Sequence, residues 1–386
     1  MSSSPLDDLR ERVRAFAPPV SAQLEGLGED EAAKRALELL AGEELLAYCV
    51  PRDLGGADVG ELASSDTVSV RALCALRQEL AYHHGMFDVM LVMQGLGSFP
   101  ISLGGRPELR HEILPAVAKG ELVAAFALTE PGAGSNLDEV ETRAERNGNG
   151  DGWTLSGHKT FISNAGLADF YTVLARTGGD PGDRQVGTLS MFYVPADSPG
   201  LRTERFEVMA PHPIGDVIFE DTQLPATHLL GQVGGGLELA LGTLGRFRTS
   251  VAAAANGFSR RALDESIGRI KSREQFGKPL SKNQALRFDL AEMDTQIRAA
   301  ELLVDEAARI VDEQNSAGNS VARAKLFATE TASWVCDRAV QHFGGLGVKR
   351  GTIVERLFRE VRALRIYEGT SEIQKLLIAR QLLDRN

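Results

Sequence analysis

The stretch IYEGTSEIQ, residues 366–374, decides how this chain is read. Ser371 followed three positions later by Gln374 has the spacing of a capping box, so a helix is expected to begin at Ser371. Glu368 then lies just ahead of that helix, and Gly369 permits a sharp turn between them. A carboxylate on a rigid entry loop is well placed to act as a general base. Taken alone, the same pattern also suits a surface Glu favoured by the helix dipole.

On the N-terminal side of that stretch the helical period is sustained. Leu286, Leu290, Met293, Ile297, Ala300 and Val304 follow a four-three spacing that sets them on one helix face. Further helices are expected over roughly Val321 to His342 and from Ser371 to Leu383. Long helices with one apolar stripe each must pack together, which predicts a helical bundle over residues 234–386. Between residues 123 and 233 the period changes. Trp153 to Leu155, Phe170 to Ala175, Thr188 to Val194 and Asp216 to Glu220 are short β-prone runs separated by Gly, Pro, Asn and Asp, the texture of an antiparallel sheet or barrel. Asn147 to Gly152 reads as a hairpin turn. Residues 1–122 read as helical again, with segments at Glu31 to Tyr48 and Val70 to Leu80 and breaks at Pro51–Gly56 and Gly104–Pro107.

Composition bounds the function. The 386 residues are 43% hydrophobic and 25% charged, ordinary for a globular protein, with a net charge of −11. Such a balance argues against a broad nucleic-acid or anionic-membrane surface. Cys49, Cys74 and Cys336 are scattered and form no CxxC pair, which suits a reducing compartment and offers neither a disulfide framework nor a zinc site. No secretory signal and no uninterrupted apolar run of about 20 residues is visible, so a cytoplasmic protein without membrane insertion is expected.

The common short signatures for dinucleotide folds, NTPases, zinc hydrolases and serine hydrolases are absent. Three further segments carry chemistry beside residues 366–374. In TEPGAGSN, residues 129–136, a Gly-rich turn ending in a hydroxyl lets backbone N–H groups and Ser135 approach a phosphate, though an ordinary loop has the same look. REQFGKPL, residues 273–280, sets basic residues beside a turn, which suits a phosphate or a helix cap. FGGLG, residues 343–347, ends a helix with a Gly cap.

Together, in this order and at these separations, these segments resemble the acyl-CoA dehydrogenase family. The resemblance runs from about Glu43 to Arg380 and rests on TEPGAGSN, GWTLSGHKTFISNAG (152–166), REQFGKPLSKNQ (273–284), QHFGGLG (341–347) and IYEGTSEIQ. It implies a mainly α fold with a β-barrel middle domain: an N-terminal helical domain at 1–122, the barrel at 123–233 and a C-terminal four-helix bundle at 234–386, assembled as a homotetramer. It implies FAD between barrel and bundle. Leu128, Thr129 and Ser135 would contact flavin and pyrophosphate, and Phe161, Ile162 and Ser163 the isoalloxazine ring. Many relatives carry Trp and Thr where this chain has Phe161 and Ser163; an aromatic face and a hydroxyl are kept. Arg273, Gln275, Phe276, Gln284, Gln341, Gly344 and Gly345 would bind the FAD of a neighbouring subunit, and Thr370 would also touch the cofactor.

Glu368 matches the family's usual base, which removes the α-proton of an acyl thioester while hydride leaves the β-carbon for flavin N5. The Glu368 N–H and a ribityl hydroxyl would form the oxyanion hole. One branch of the family places its base just before a characteristic Arg; here that Arg is Arg248 and Phe247 precedes it, which cannot accept a proton. Ser135, Arg248, Tyr367, Gly369 and Arg380 would contact the substrate. No metal is implied. The expected substrate is an acyl-CoA, with an acyl-carrier-protein thioester as the alternative, because relatives often carry Asp three residues before the Arg and this chain has Gly245 there, with Arg246 next to it. The expected acceptor is electron-transfer flavoprotein, within fatty acid or amino acid catabolism. An acyl-CoA oxidase and a non-catalytic flavin-binding scaffold are the other readings. The pocket wall is expected around Phe87 to Gln94. Phe87 there offers no partner to a distal carboxylate and Asp88 would repel one, which points to a short or branched uncharged acyl group.

Overall fold

A computed structural model describes residues 4–148, 150–182, 187–314 and 318–384. In chain order the helices are α1 (Pro5–Ser21), α2 (Glu29–Gly42), α3 (Val70–His83), α4 (Gly85–Gly104) and α5 (Pro107–Ala118). Eight strands follow: β1 (Ala124–Ala127), β2 (Arg143–Arg146), β3 (Gly152–Ser163), β4 (Phe170–Arg176), β5 (Leu189–Pro195), β6 (Leu201–Arg205), β7 (Ile214–Pro225) and β8 (Leu229–Leu230). Then come α6 (Gly236–Ser272), a two-stranded ribbon of β9 (Glu274–Gln275) and β10 (Lys278–Pro279), and α7 (Gln284–Gln314), α8 (Gly318–Phe343), α9 (Ile353–Leu364) and α10 (Ser371–Leu383). The mainly helical layout with a β middle part is the one the motifs imply.

By packing, the chain groups into two compact units. The first comprises Met1–Ala22, Val70–Asp88 and Arg248–Asn386. Its core joins the apolar stripe of α7 to the inner faces of α3, α6, α8 and α9. Met293, Ile297, Ala300 and Val304 are buried as their spacing predicts, and the stripe runs on through Ala307, Ala308 and Val311. Small residues let helices close together here. Ala252 to Ala255 are fully buried on α6, and a Cβ added to Gly257 would fall 2.1 Å from the Gln78 carbonyl oxygen on α3.

The second unit comprises Gln23–Ser69 and Val89–Phe247. Its strands form one sheet in the order β6-β7-β3-β2-β4-β5-β8, with β1 parallel to β4. β4 is buried along its whole length, which is why Phe170 to Ala175 is apolar but for Thr172 rather than alternating. β3 and β7 pair antiparallel with two register shifts, one of them between Lys159 and Ile162. The expected hairpin joins β2 to β3, with Asn147 N–H donating to the Gly152 carbonyl at 3.0 Å; Asn149 lies outside the described residues. The first helical segment is shorter than expected: α2 ends at Gly42, Glu44 takes a left-handed φ of 55°, and Leu45–Cys49 is a tight 3₁₀ turn. Among the described residues, Gly85–Gly104 is long and apolar enough to cross a bilayer, and 83% of it is buried in protein, which marks a core helix.

The α3–α6 approach gives a direct test. Gly257→Ala is expected to lower unfolding stability by about 1–3 kcal/mol, because the added methyl collides with fixed backbone rather than a movable side chain. Urea unfolding of parent and variant measures it; equal midpoints would show that the two helices can separate freely.

Candidate functional site

The turn between α9 and α10 is held in a conformation that residues other than Gly resist. α9 ends at Leu364, and the Ile366 and Tyr367 N–H groups both donate back to the Ala363 carbonyl, at 2.9 and 3.1 Å. Glu368 then adopts a left-handed φ of 53° and Gly369 a φ of 92°. For Glu this conformation carries strain that the surroundings must offset. Three side chains do so by gripping the two carbonyls that the turn exposes. Arg248 Nε donates to the Glu368 carbonyl at 2.7 Å. Lys325 Nζ and Gln374 Nε2 donate to the Gly369 carbonyl at 2.8 and 2.9 Å. A Cβ at Gly369 would lie 2.6 Å from Gln374 Nε2, so Gly is needed both for its φ and for this contact.

The capping differs from the expected box. Thr370, not Ser371, is the N-cap of α10, accepting from the Ile373 N–H at 3.3 Å. Ser371 instead donates to Glu330 Oε1 at 2.6 Å, a carboxylate that also holds Arg365. The Ser371 hydroxyl thus donates to a charged acceptor, a strong hydrogen bond that fixes the side chain away from the cap. Gln374, one position beyond the capping-box distance from Thr370, serves the turn carbonyl instead.

The backbone so fixed presents Glu368 with Oε2 shielded and without a hydrogen-bond partner among the described residues. Burial pushes this carboxyl above the usual range, against the pull of Arg77, Arg248 and Lys325, while Asp88 pushes the same way as burial. The cations respond in turn. Burial lowers Arg248 and brings Lys325 down to about 8, each opposed by the Glu368 charge. A carboxylate of raised pKa is a stronger base toward a weakly acidic C–H than an ordinary one.

Arg77 and Asp88 were not singled out together by sequence. Arg77 is fully buried, and its Nε and Nη2 donate to the two Asp88 carboxylate oxygens at 2.6 and 2.9 Å. Asp88 is therefore neutralised by a bidentate partner and does not stand as the free repelling charge expected of it. Phe87 is buried as well, its ring 5.9 Å from that of Phe16.

The second unit carries the Gly-rich turn. Glu130 accepts from Lys159 Nζ at 2.6 Å, from the Glu141 N–H at 2.6 Å and from the Thr142 N–H at 3.0 Å. Lys159 also donates to the Leu128 carbonyl at 3.1 Å, and the Thr160 N–H to the Thr129 carbonyl at 2.9 Å. Both charged groups are buried. Burial alone would raise Glu130, but Lys159 and the amides hold it below the usual carboxylate range; burial brings Lys159 down to about 8. These bonds tie the 128–136 loop to the irregular part of β3. At that irregularity Phe161 takes a φ of 54° and leaves its ring 61% exposed. Ser163 Oγ lies 2.7 Å from His212 Nε2, and burial lowers that imidazole to about 4, so it is neutral at neutral pH. An exposed aromatic face, a buttressed hydroxyl and a loop whose Gly132 and Gly134 face open space fit one side of a flat anionic cofactor. Leu128 and Ile162 are buried in the sheet layers, so they offer main chain rather than side chain to such a group.

The other residues expected on the cofactor lie at the surface of the first unit. Phe276 and Gly277 form the tip of the β9–β10 hairpin, both at positive φ, as a two-residue primed turn requires. Phe276 is 99% exposed there. Arg273, Gln275, Gln284, Gln341, Gly344 and Gly345 are exposed. Arg380 is exposed on α10, 3.7 Å from Asp384 and about 14 Å along the helix from its start.

Comparison with known proteins gives the same reading along the whole chain. Models of the acyl-CoA dehydrogenase N-terminal, middle and C-terminal domains match residues 5–121, 125–222 and 234–383. The chain is 33% identical over 380 residues to cyclohexane-1-carbonyl-CoA dehydrogenase of Geobacter metallireducens, covering 98% of this chain and 96% of that one. It is 34% identical over 383 residues to 3-(aryl)acrylate reductase of Clostridium sporogenes, covering 97% of each. Among solved structures, butyryl-CoA dehydrogenase from Megasphaera elsdenii superposes with a TM-score of 0.88 at 30% identity over 99% of both chains.

Lys159→Met leaves Glu130 buried without its cation. The expected loss is about 3–5 kcal/mol of unfolding stability, most of it regained in Glu130→Gln/Lys159→Met. Denaturant titration of the three proteins measures this; a neutral single variant would show that Lys159 does not hold the loop.

Proposed function

The chain belongs to the acyl-CoA dehydrogenase family of FAD-dependent oxidoreductases acting on CH–CH bonds, and from that premise we propose that Glu368 is the base in the α,β-dehydrogenation of an acyl thioester. The observation that carries the proposal is the shielded, unpartnered Glu368 Oε2 on a turn fixed by Arg248, Lys325 and Gln374. When bound, FAD supplies the acceptor for the β-hydride.

The protein's share is position and electrostatics. Glu368 takes the α-proton on its carboxylate. Its raised affinity for a proton reduces the mismatch with a weakly acidic C–H, and the charges of Arg77, Arg248 and Lys325 oppose that rise. The Glu368 N–H has no acceptor among the described residues and is available to the thioester oxygen as negative charge develops there. Thr129, Ser135, Phe161 and Ser163 would hold the flavin and its phosphates in the second unit; Arg273, Gln275, Phe276, Gln284, Gln341, Gly344 and Gly345 would serve a neighbouring subunit's cofactor in a homotetramer. The fully exposed Phe276 ring supports the latter, since such a side chain on a hairpin tip calls for a partner surface. Electron-transfer flavoprotein is the proposed acceptor.

For the substrate we favour a short, branched or cyclic uncharged acyl-CoA. Phe87 supports this by offering no cation to a distal carboxylate, and Arg77 cannot serve as one while Asp88 occupies it. Two of the relatives, cyclohexane-1-carbonyl-CoA and butyryl-CoA dehydrogenases, carry names of this kind, while two structural relatives are glutaryl-CoA dehydrogenases, so the reading rests on Phe87 and the Arg77–Asp88 pair.

Glu368→Gln is expected to keep FAD and thioester binding while anaerobic flavin bleaching slows by at least ~10²–10⁴-fold. A variant within a few-fold of the parent would remove Glu368 from the reaction. In a panel of butyryl-, isobutyryl-, cyclohexanecarbonyl-, octanoyl- and glutaryl-CoA, bleaching is expected with the short, branched and cyclic esters. Preference for glutaryl-CoA would overturn the pocket reading, and silence with every CoA ester would favour a carrier-protein thioester.

A further inference from the structure

The loop between β6 and β7 carries an imidazole to the hydroxyl at the end of β3. His212 Nε2 lies 2.7 Å from Ser163 Oγ and, among the described residues, is that hydroxyl's one hydrogen-bond partner. Both sides of the contact are anchored within the second unit. Ser163 pairs in register with Ile214 of β7. The next residue, Asn164, is fully buried at a φ of 63°, and its N–H donates to the Pro213 carbonyl at 2.7 Å, one position beyond His212. At the other end of the loop Arg205 donates through Nε to the Ile214 carbonyl at 3.0 Å and through Nη1 to the Ala165 carbonyl at 3.2 Å. Phe206 follows, its ring set edge-on to that of Phe161 with centroids 5.1 Å apart. Imidazole, hydroxyl and exposed ring are thereby fixed to one another.

A serine hydroxyl has one proton and two lone pairs, and a neutral imidazole nitrogen either donates or accepts. If Nε2–H donates, the Ser163 proton is free to turn outward. If Ser163 O–H donates to a bare Nε2, the hydroxyl offers only lone pairs to anything else. The length fits the second arrangement: 2.7 Å is usual for a hydroxyl donor, at about 2.7–2.8 Å, and short for a ring N–H, at about 2.9–3.0 Å. Acceptance by Nε2 requires a neutral ring, and burial, with the Arg205 charge facing it, brings His212 down to about 4. We propose that His212 is a positioning residue that engages the Ser163 O–H and leaves that hydroxyl as an acceptor toward the flavin, biasing bound FAD toward its reduced form. The inference rests on the reading of Ser163 as a flavin contact. Reduction turns flavin N5 from an acceptor into an N–H donor, so a neighbour that can only accept favours the reduced ring.

Two readouts on the FAD-loaded protein test this without reference to turnover. Solid-state nitrogen NMR of histidine-labelled protein, with the His212 signals identified by their loss in His212→Phe, is expected to show Nε2 bare and Nδ1 protonated. A protonated Nε2 overturns the proposal. The midpoint potential of bound FAD, measured by anaerobic reduction against a reference dye, is expected to fall in His212→Phe and in Ser163→Ala. A tenfold loss in the reduction equilibrium corresponds to about 30 mV for this two-electron couple. His212→Gln, whose Oε1 can accept the same hydroxyl, is expected to recover most of that loss. The double variant Ser163→Ala/His212→Phe is expected to match Ser163→Ala alone, because His212 acts through Ser163; additive losses would mean a packing role and overturn the proposal. A fall in Ser163→Ala with none in His212→Phe overturns the His212 assignment and keeps the flavin contact. An unmoved potential in Ser163→Ala removes the flavin contact itself, and the proposal with it. A raised potential there makes Ser163 a donor and overturns the proposal. Should His212→Phe fail to fold or to load FAD, His212→Gln identifies the nitrogen signals: a bare Nε2 with a lowered potential in Ser163→Ala supports the proposal, and any other pair of results overturns it.

Discussion

A left-handed glutamate is the constraint on which this site depends. Glu368 holds a φ of 53°, and the strain of that conformation is offset by three hydrogen bonds onto two adjacent carbonyls. Each donor comes from a different helix: Arg248 from α6, Lys325 from α8 and Gln374 from α10. Lys325 and Gln374 are fully buried, so they could not be there unless those carbonyls received them. The first unit's packing, from the Ala-rich face of α6 to the buried side of α8, serves to bring these three groups to one turn. The same cations that fix the backbone also work against the desolvation of the Glu368 carboxyl, so geometry and acidity are set by shared residues.

The second unit solves a parallel problem with one ion pair. A Gly-rich loop has too few side chains to define its own conformation. Glu130 and Lys159 replace that missing core, accepting two loop amides and donating to a loop carbonyl from a solvent-free position. The register shift in β3 beside Lys159 then turns Phe161 outward and leaves Ser163 within reach of His212. Sheet irregularity, the buried pair and the exposed ring are three aspects of one local arrangement.

Much of the helical frame was legible in the sequence, because it is local. The four-three stripe from Met293 to Val304 is buried as its spacing requires, and α10 covers Ser371–Leu383. The capping pattern at that helix misled by one residue, since Ser371 faces Glu330, a partner forty-one positions away that no local spacing encodes. The same reason hid Arg77, Lys325 and Lys159. Each stands among other polar or charged residues, and the identity of its partner depends on tertiary packing. Asp88 shows the cost of reading such a charge without its partner: seen alone it is a free repelling charge, and seen beside Arg77 much of that charge is offset. The residues of the β9–β10 hairpin suit a phosphate-holding or capping turn, and the structure shows Phe276 carried outward at its tip.

The central claim is that this turn exists to move a proton at the Glu368 carboxylate. The most direct measurement uses an arylacetyl thioester, which has α-hydrogens but no β-hydrogen to transfer, incubated with the FAD-loaded protein in D₂O and followed by mass spectrometry. Proton removal alone is then observed, free of the redox step. The account predicts α-deuteration by the parent protein and none above background by Glu368→Gln. Equal exchange by the two proteins would contradict it, and would assign the proton to another group.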